Sequence, residues 1–198
     1  MYGALMYLDR KMKEAAYMHG QLAYIAAPIF NDDQRAVVEQ LKEALESTGF
    51  EIFSPYHASQ KIFNGRKPAD CTPEERAMVL RGNVSHLHCH LLLAWVGGNE
   101  GGFTDPGVVW EMGYAGALAG APAAFGRGPG YPFTLAYIHD TDERQAMNLM
   151  LAGTVDGVVK GGQELAVALA MGARRNWATL SSTFTPDRLL AQDKEPVV

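Results

Sequence analysis

"LLLAWVGGNEGGFTDPGVVWEMGYAGALAG", residues 91–120, decides the fold. Its first six residues are apolar throughout, where a strand with one wet face would alternate. That predicts a strand at 91–96 covered on both sides, as in a parallel sheet with helices on each face. A glycine-rich loop, "GGNEGGFTD", follows. Asp105 then suits the cap of a helix, Pro106 suits its first position, and Gly120 with Pro122 closes it. Glu111 is the only charged residue of that helix. A carboxylate among Trp110, Met112 and Tyr114 calls for a reason, because burying it is costly unless it is paired or used.

The rest of the chain repeats the strand-helix pattern. "LAYIAAPIF" (22–30) predicts a first buried strand. Asn31 can cap the next helix, in which Val37, Val38, Leu41, Ala44 and Leu45 recur at helical spacing before Gly49. "FEIFSP" (50–55) predicts a second strand, stopped by Pro55, and "HASQKIFNGRKPAD" a polar loop. Thr72, Pro73 and Glu75 form a capping box with proline at the first helical position, opening a helix that runs to about residue 87. "PFTLAYIH" (132–139) predicts a fourth strand and "VDGVV" (155–159) a fifth, with a last helix at about 162–172. This alternation predicts a single α/β domain over 1–198, doubly wound and flavodoxin-like. A parallel sheet of about five strands carries helices on both faces. Residues 1–20 form an N-terminal extension and 176–198 a mixed tail. Ligands on such sheets bind at the carboxyl ends of the strands, near the switch in strand order.

Composition narrows the function. The 198 residues are 47% hydrophobic and 20% charged, with a formal net charge of -5, which speaks against nucleic acid and anionic membranes as partners. No apolar run reaches the roughly 18 residues of a membrane span. The charges of "MYGALMYLDRKMKEAAYMHG" follow its apolar residues, the reverse of a signal peptide. Cys71 and Cys89 are too few for a disulfide framework, so a reduced, cytoplasmic setting is expected.

Several motifs can be weighed against plainer readings. "GGNEGG" lacks the lysine and hydroxyl residue of a P-loop, and no GxGxxG follows the first strand, so it reads as a mobile loop. "HLHCH" (86–90) would align His86, His88 and His90 for a metal only if extended. No second ligand cluster accompanies it, and a histidine-rich helix end is the plainer account. No metal and no cofactor are expected. Gly113, Gly116 and Gly120 smooth the helix for close packing, in the core or at a subunit contact. Asp105, at the helix mouth, and Glu111, further along, can flank one small pocket. Two carboxylates in separate environments can divide nucleophile and proton-donor work, which the cleavage of a glycosidic bond requires.

With these residues in place, the sequence resembles the nucleoside 2-deoxyribosyltransferase family over about residues 22–170. "YIAAPIF" is similar to the family's opening strand and its tyrosine, here Tyr24. "DPGVVWEMGYA" resembles the signature in which an aspartate precedes the nucleophilic glutamate by six positions. "MNLML" (147–151) resembles the family's Asn-Leu-Met segment. The resemblance implies a catalytic set of Glu111 as nucleophile, Asp105 as its acidic partner and Tyr24 as the group that orients Glu111. It implies substrate contacts from Asn148, which reaches the 5′-hydroxyl across a subunit boundary, from Met150, and from Gln60 against the base. Gly107, within the signature, joins the substrate-binding set. The family's sugar-contacting aspartate before strand three falls in "RGNVSHLHCH", where Asn83 is the nearest substitute, and a second common aspartate falls at His90.

The implied activity is transfer of 2-deoxyribose between nucleobases with retention. The partners are deoxynucleosides, free nucleobases and further copies of the chain, from dimer to hexamer, with shared sites. Two alternatives stay open. One is an N-glycosidase of 2-deoxynucleoside 5-monophosphates, the other a non-catalytic nucleoside or nucleotide-binding module. The Asn-Leu-Met segment argues against the first and the retained Asp105 and Glu111 against the second.

Overall fold

The computed structural model describes residues 21–99, 103–118, 132–140 and 153–172. In chain order the elements are β1 (Leu22–Ala26), α1 (Asp32–Glu46), β2 (Glu51–Phe53), α2 (Pro55–Phe63) and α3 (Pro73–His86). They continue as β3 (Leu91–Trp95), α4 (Pro106–Leu118), β4 (Phe133–Ile138), β5 (Gly157–Lys160) and α5 (Gly161–Gly172). The strands form one sheet in the order β2-β1-β3-β4-β5, with every pair parallel. This is the expected flavodoxin-like arrangement. The chain steps outward from β1 to β2, then returns past β1 to β3. The crevice at the carboxyl ends of β1 and β3 is therefore the switch point where ligands bind such sheets.

Each face of the sheet carries its own core, as the period of two in a strand requires. Ala23, Ile25, Leu91, Leu93, Trp95, Leu135, Tyr137 and Val159 point one way, onto Val37, Leu41 and Leu45 of α1 and Leu165, Ala168 and Leu169 of α5. Tyr24, Ala26, Leu92, Ala94, Val96, Ala136, Ile138 and Val158 point the other way, onto Val108, Met112 and Ala115 of α4. All five residues of β3 are buried, which explains the unbroken apolar run there.

The predicted capping box of Thr72 with Glu75 forms on α3, and the expected cap Asn31 forms a second box with Gln34 on α1. The segment expected as a polar loop is instead largely helical. Pro55 occupies the first turn of α2, where its fixed φ suits a helix, and left-handed Asn64 (φ 50) ends it. Pro55 was expected only to stop a strand; it stops β2 and starts α2 as well. The N-terminal extension, the tail, Glu100–Gly102 and the "MNLML" segment lie outside the described residues.

The start of α5 shows what the local geometry demands. Gly161 has φ +70, and a Cβ there would lie 2.0 Å from Asp140 Oδ1. Gly162, its neighbour, would meet nothing within 4 Å. Gly161→Ala should therefore cost on the order of 1–3 kcal/mol or more. Gly162→Ala should be neutral or gain up to about 1 kcal/mol. Thermal melts of the two variants check this, and equal midpoints would contradict it.

Candidate functional site

α4 begins at the carboxyl end of β3, through a cap built from Asp105. Asp105 Oδ2 accepts from Gly107 N at 2.8 Å and Val108 N at 3.2 Å, and its own carbonyl accepts from Val109 N. A side chain on residue 107 would put its Cβ 2.8 Å from Asp105 Oδ2, so glycine is what lets the carboxylate fold over the helix mouth. Only one carboxylate oxygen is needed for the cap. Gly107 thus shapes the site through Asp105.

One and a half turns further along, Glu111 meets β1. Tyr24 O–H donates to Glu111 Oε1 at 2.5 Å, joining residues 87 positions apart. Tyr24 is completely buried at the centre of the sheet, between Phe53 of β2 and Leu92 of β3. Its phenol therefore has no water to bond and needs an acceptor from the protein. Burial and the neighbouring carboxylate both push the Tyr24 pKa far up, so it stays a proton donor.

Burial is also the largest influence on Glu111, raising its pKa to about 7. The Tyr24 hydrogen bond opposes this rise and the Asp105 charge adds to it. Asp105 is thus close enough for its charge to be felt, as two carboxylates flanking one pocket should be.

An aromatic series runs outward from Tyr24. Its ring centroid is 5.3 Å from that of Phe53, and Phe53 stacks on His86 at 3.8 Å. Asn83 lies one helical turn before His86. Its Oδ1 is buried with no hydrogen-bond partner among the described residues, a group placed to accept from something else. His90 is elsewhere. Its Nδ1 accepts from Leu22 N at the amino end of β1, the edge of the sheet opposite the crevice. The three histidines of "HLHCH" do not converge, since His86 Nδ1 bonds Gly82 O and His88 is exposed. Among the described residues no group of three or more His, Cys, Asp and Glu side chains could hold a metal ion. No described helix is long and apolar enough to cross a membrane.

Gln60 is exposed near the end of α2, on a helix where a loop was expected. Asn148 and Met150 lie outside the described residues. The structure therefore gathers Tyr24, Asp105, Gly107 and Glu111, and places Asn83 one helical turn before His86, which stacks on Phe53. One residue escaped the sequence reading. Gln34 is 5% exposed, and its amide bridges the loops that follow β1 and β3. The capping pattern around Asn31 already hinted that Gln34 was fixed, without hinting at what else it holds.

Residues 23–150 match the sequence profile of the family described as nucleoside 2-deoxyribosyltransferase. The chain belongs to that family. The family is consistent with the fold: the structure is similar to a 2-deoxyribosyltransferase from the psychrotolerant bacterium Bacillus psychrosaccharolyticus, with a TM-score of 0.56 and 20% sequence identity. That match covers 80% of this chain and 95% of the other. A conserved protein from Enterococcus faecalis V583 is similar at a TM-score of 0.55 and 18% identity, over 77% of this chain and 98% of its own. No curated protein sequence matches the chain.

The raised Glu111 pKa has a consequence for stability. Its ordinary value is 4.5 and its folded value about 7, so the folded chain holds the proton more tightly than the unfolded one. Glu111 therefore favours the fold most below about pH 4.5, and that advantage is lost as pH rises through about 7. At pH 8 the ionised carboxylate costs on the order of 3 kcal/mol relative to a neutral side chain of the same shape. Glu111→Gln keeps an acceptor for Tyr24 and has no charge to bury. Its melting midpoint should exceed that of the native chain by several degrees at pH 8 and approach it near pH 4.5. A constant offset between those pH values would contradict the raised pKa.

Proposed function

We propose that this protein moves 2-deoxyribose between nucleobases through a covalent ester on Glu111. The observation that carries the reading is the Tyr24–Glu111 hydrogen bond, which aims a lone, partly buried carboxylate at the crevice beside a second carboxylate. In this mechanism Glu111 attacks the anomeric carbon, and the bond to the base breaks with its electron pair going to the base. Asp105, directly or through water, delivers the proton that the departing base takes up. A second base then attacks the ester from the opposite side, so two inversions give net retention. Tyr24 holds one oxygen of Glu111 and so leaves the other to attack. The apolar wall of Val108, Met112 and Tyr24 limits water near the ester, which favours transfer over hydrolysis.

Asn83 suits a substrate contact because its buried Oδ1 has an unused lone pair. We assign Gln60, Asn148 and Met150 to the substrate by resemblance alone. We also take residues 1–198 as one domain of a cytoplasmic protein acting as a homo-oligomer. On the same resemblance we assign Asn148 to the neighbouring subunit's site.

Two experiments test this reading. Incubated with a deoxynucleoside and a different acceptor base, the native protein should form the exchanged nucleoside. Mass spectrometry should find a trapped deoxyribosyl adduct on Glu111, and Glu111→Ala should lose activity by up to about a million-fold. More than a few per cent of native activity in that variant would remove Glu111 from the nucleophile role. Subunit sharing is tested by mixing. Glu111→Ala and Asn148→Ala, each inactive, should regain part of the activity once their subunits exchange, because some pockets then hold both native residues. No recovery after demonstrated exchange would refute a shared site.

A further inference from the structure

Gln34 is a buried polar side chain that the mechanism above does not use. All four hydrogen-bonding positions of its amide are occupied. Oε1 accepts from Phe30 N at 2.7 Å and Asn31 N at 3.3 Å. Nε2 donates to Gly98 O at 2.8 Å and Asn99 Oδ1 at 3.2 Å. The first pair is local and completes the capping box of α1. A glutamate would serve there equally well, since the box asks only for an acceptor at this position. The second pair has nothing to do with the helix. It reaches 64 and 65 residues along the chain and requires an amide.

Those two halves join the loops at the carboxyl ends of β1 and β3, the adjacent strands that form the crevice. The contact is close. Gly98, at φ +80, sits where a Cβ would lie 2.8 Å from the Trp95 ring and 3.1 Å from Pro28 of the first loop. Gly98 then pairs with Thr104 in an antiparallel bridge, immediately before Asp105. The fixed order is therefore Gln34, Gly98, Thr104, Asp105. On the other loop, the bonded Phe30 N belongs to a residue whose ring is 70% exposed.

We propose that Gln34 is a positioning residue: by locking the β1 and β3 loops together it holds Asp105 in place beside Glu111, and so decides whether the glycosyl ester is taken by a base or by water. The proposal rests on the transfer reading. If the loops part, water enters. Its oxygen attacks the anomeric carbon, the ester bond to Glu111 breaks, the carboxylate is regenerated, and the water's proton goes to solvent. Free deoxyribose then appears in place of a new nucleoside.

Gln34→Glu separates the two halves. It keeps the acceptor for Phe30 N and Asn31 N, and with it the cap. It loses the donor and sets a negative charge against the Gly98 carbonyl. Two measurements are made on the full chain. Hydrogen exchange should speed up in residues 27–31, 97–99 and 103–105 while β4 is unchanged. The ratio of deoxyribose released to nucleoside formed, at fixed acceptor, should rise about tenfold or more, the size expected when the two Nε2 hydrogen bonds are lost. A purely structural defect would lower both products together and leave that ratio alone. Gln34→Ala, which removes both halves, should shift the ratio at least as far; if it fails to fold, the glutamate variant still decides. Unchanged exchange in both loops would overturn the lock, and loosened loops with an unchanged ratio would overturn the role in partitioning. If the native protein yields neither product, the transfer reading falls and the positioning role with it, while exchange still judges the lock.

Discussion

The bond between Tyr24 and Glu111 ties the sheet to the helix that crosses it, and much of the molecule is arranged to make it possible. Neither group could occupy its place alone. A phenol at the centre of a fully covered strand needs an acceptor, and a carboxylate in a helix without other charge needs a donor. Each meets the other's requirement. The bond is available only because β1 and β3 are neighbours and α4 lies over both, so the strand order and the site are one constraint. Close approach of α4 depends on its small residues. Ala115 is completely buried, and even a methyl on Gly116 would come within 3.1 Å of Thr154.

The hydrogen bond does not remove the cost of burying Glu111. Burial pushes its pKa up to about 7, with Tyr24 acting against the rise and Asp105 for it. A cheaper fold would place a neutral side chain there. Conflicts of this kind, where a residue works against local stability, are expected at functional sites. They also explain why a higher pKa suits the proposed chemistry. A carboxylate desolvated in advance attacks an electrophilic carbon without first shedding water, and a more basic oxygen is the better nucleophile.

The sheet and most of its helices were legible because their signals are repetitive. Five apolar runs, a capping box at Thr72, a cap at Asn31 and the spacing of Val37, Leu41 and Leu45 each repeat a pattern that tertiary contacts reinforce. α2 was not legible, because its segment mixes Tyr56, His57, Gln60 and Lys61 with few apolar residues. Its start signal, Pro55, also ends a strand. Glu111 stood out by contrast, as a single charge in an apolar helix. Asp105 followed from cap chemistry. Tyr24 did not, since a tyrosine in an apolar strand looks like any core aromatic, and only the family resemblance singled it out. His90 shows the limit of matching positions: it caps the first N–H of β1 instead of facing the crevice.

Gln34 was hidden for a different reason. Its place in a capping box fully accounts for it in one dimension, so nothing in the sequence asks for a second role. The same holds for Asp105, whose capping role is local while its charge acts on Glu111. Both residues lie where a loop leaving the carboxyl end of a strand enters a helix. At such junctions backbone N–H groups lack helical partners, so polar side chains must be present and must be held in one rotamer. A doubly wound sheet puts these junctions beside its ligand crevice. Residues fixed by the needs of helix starts are therefore already ordered when a ligand arrives. Here one cap supplies a carboxylate and the other a lock between loops, without any further side chain having to be immobilised for either purpose.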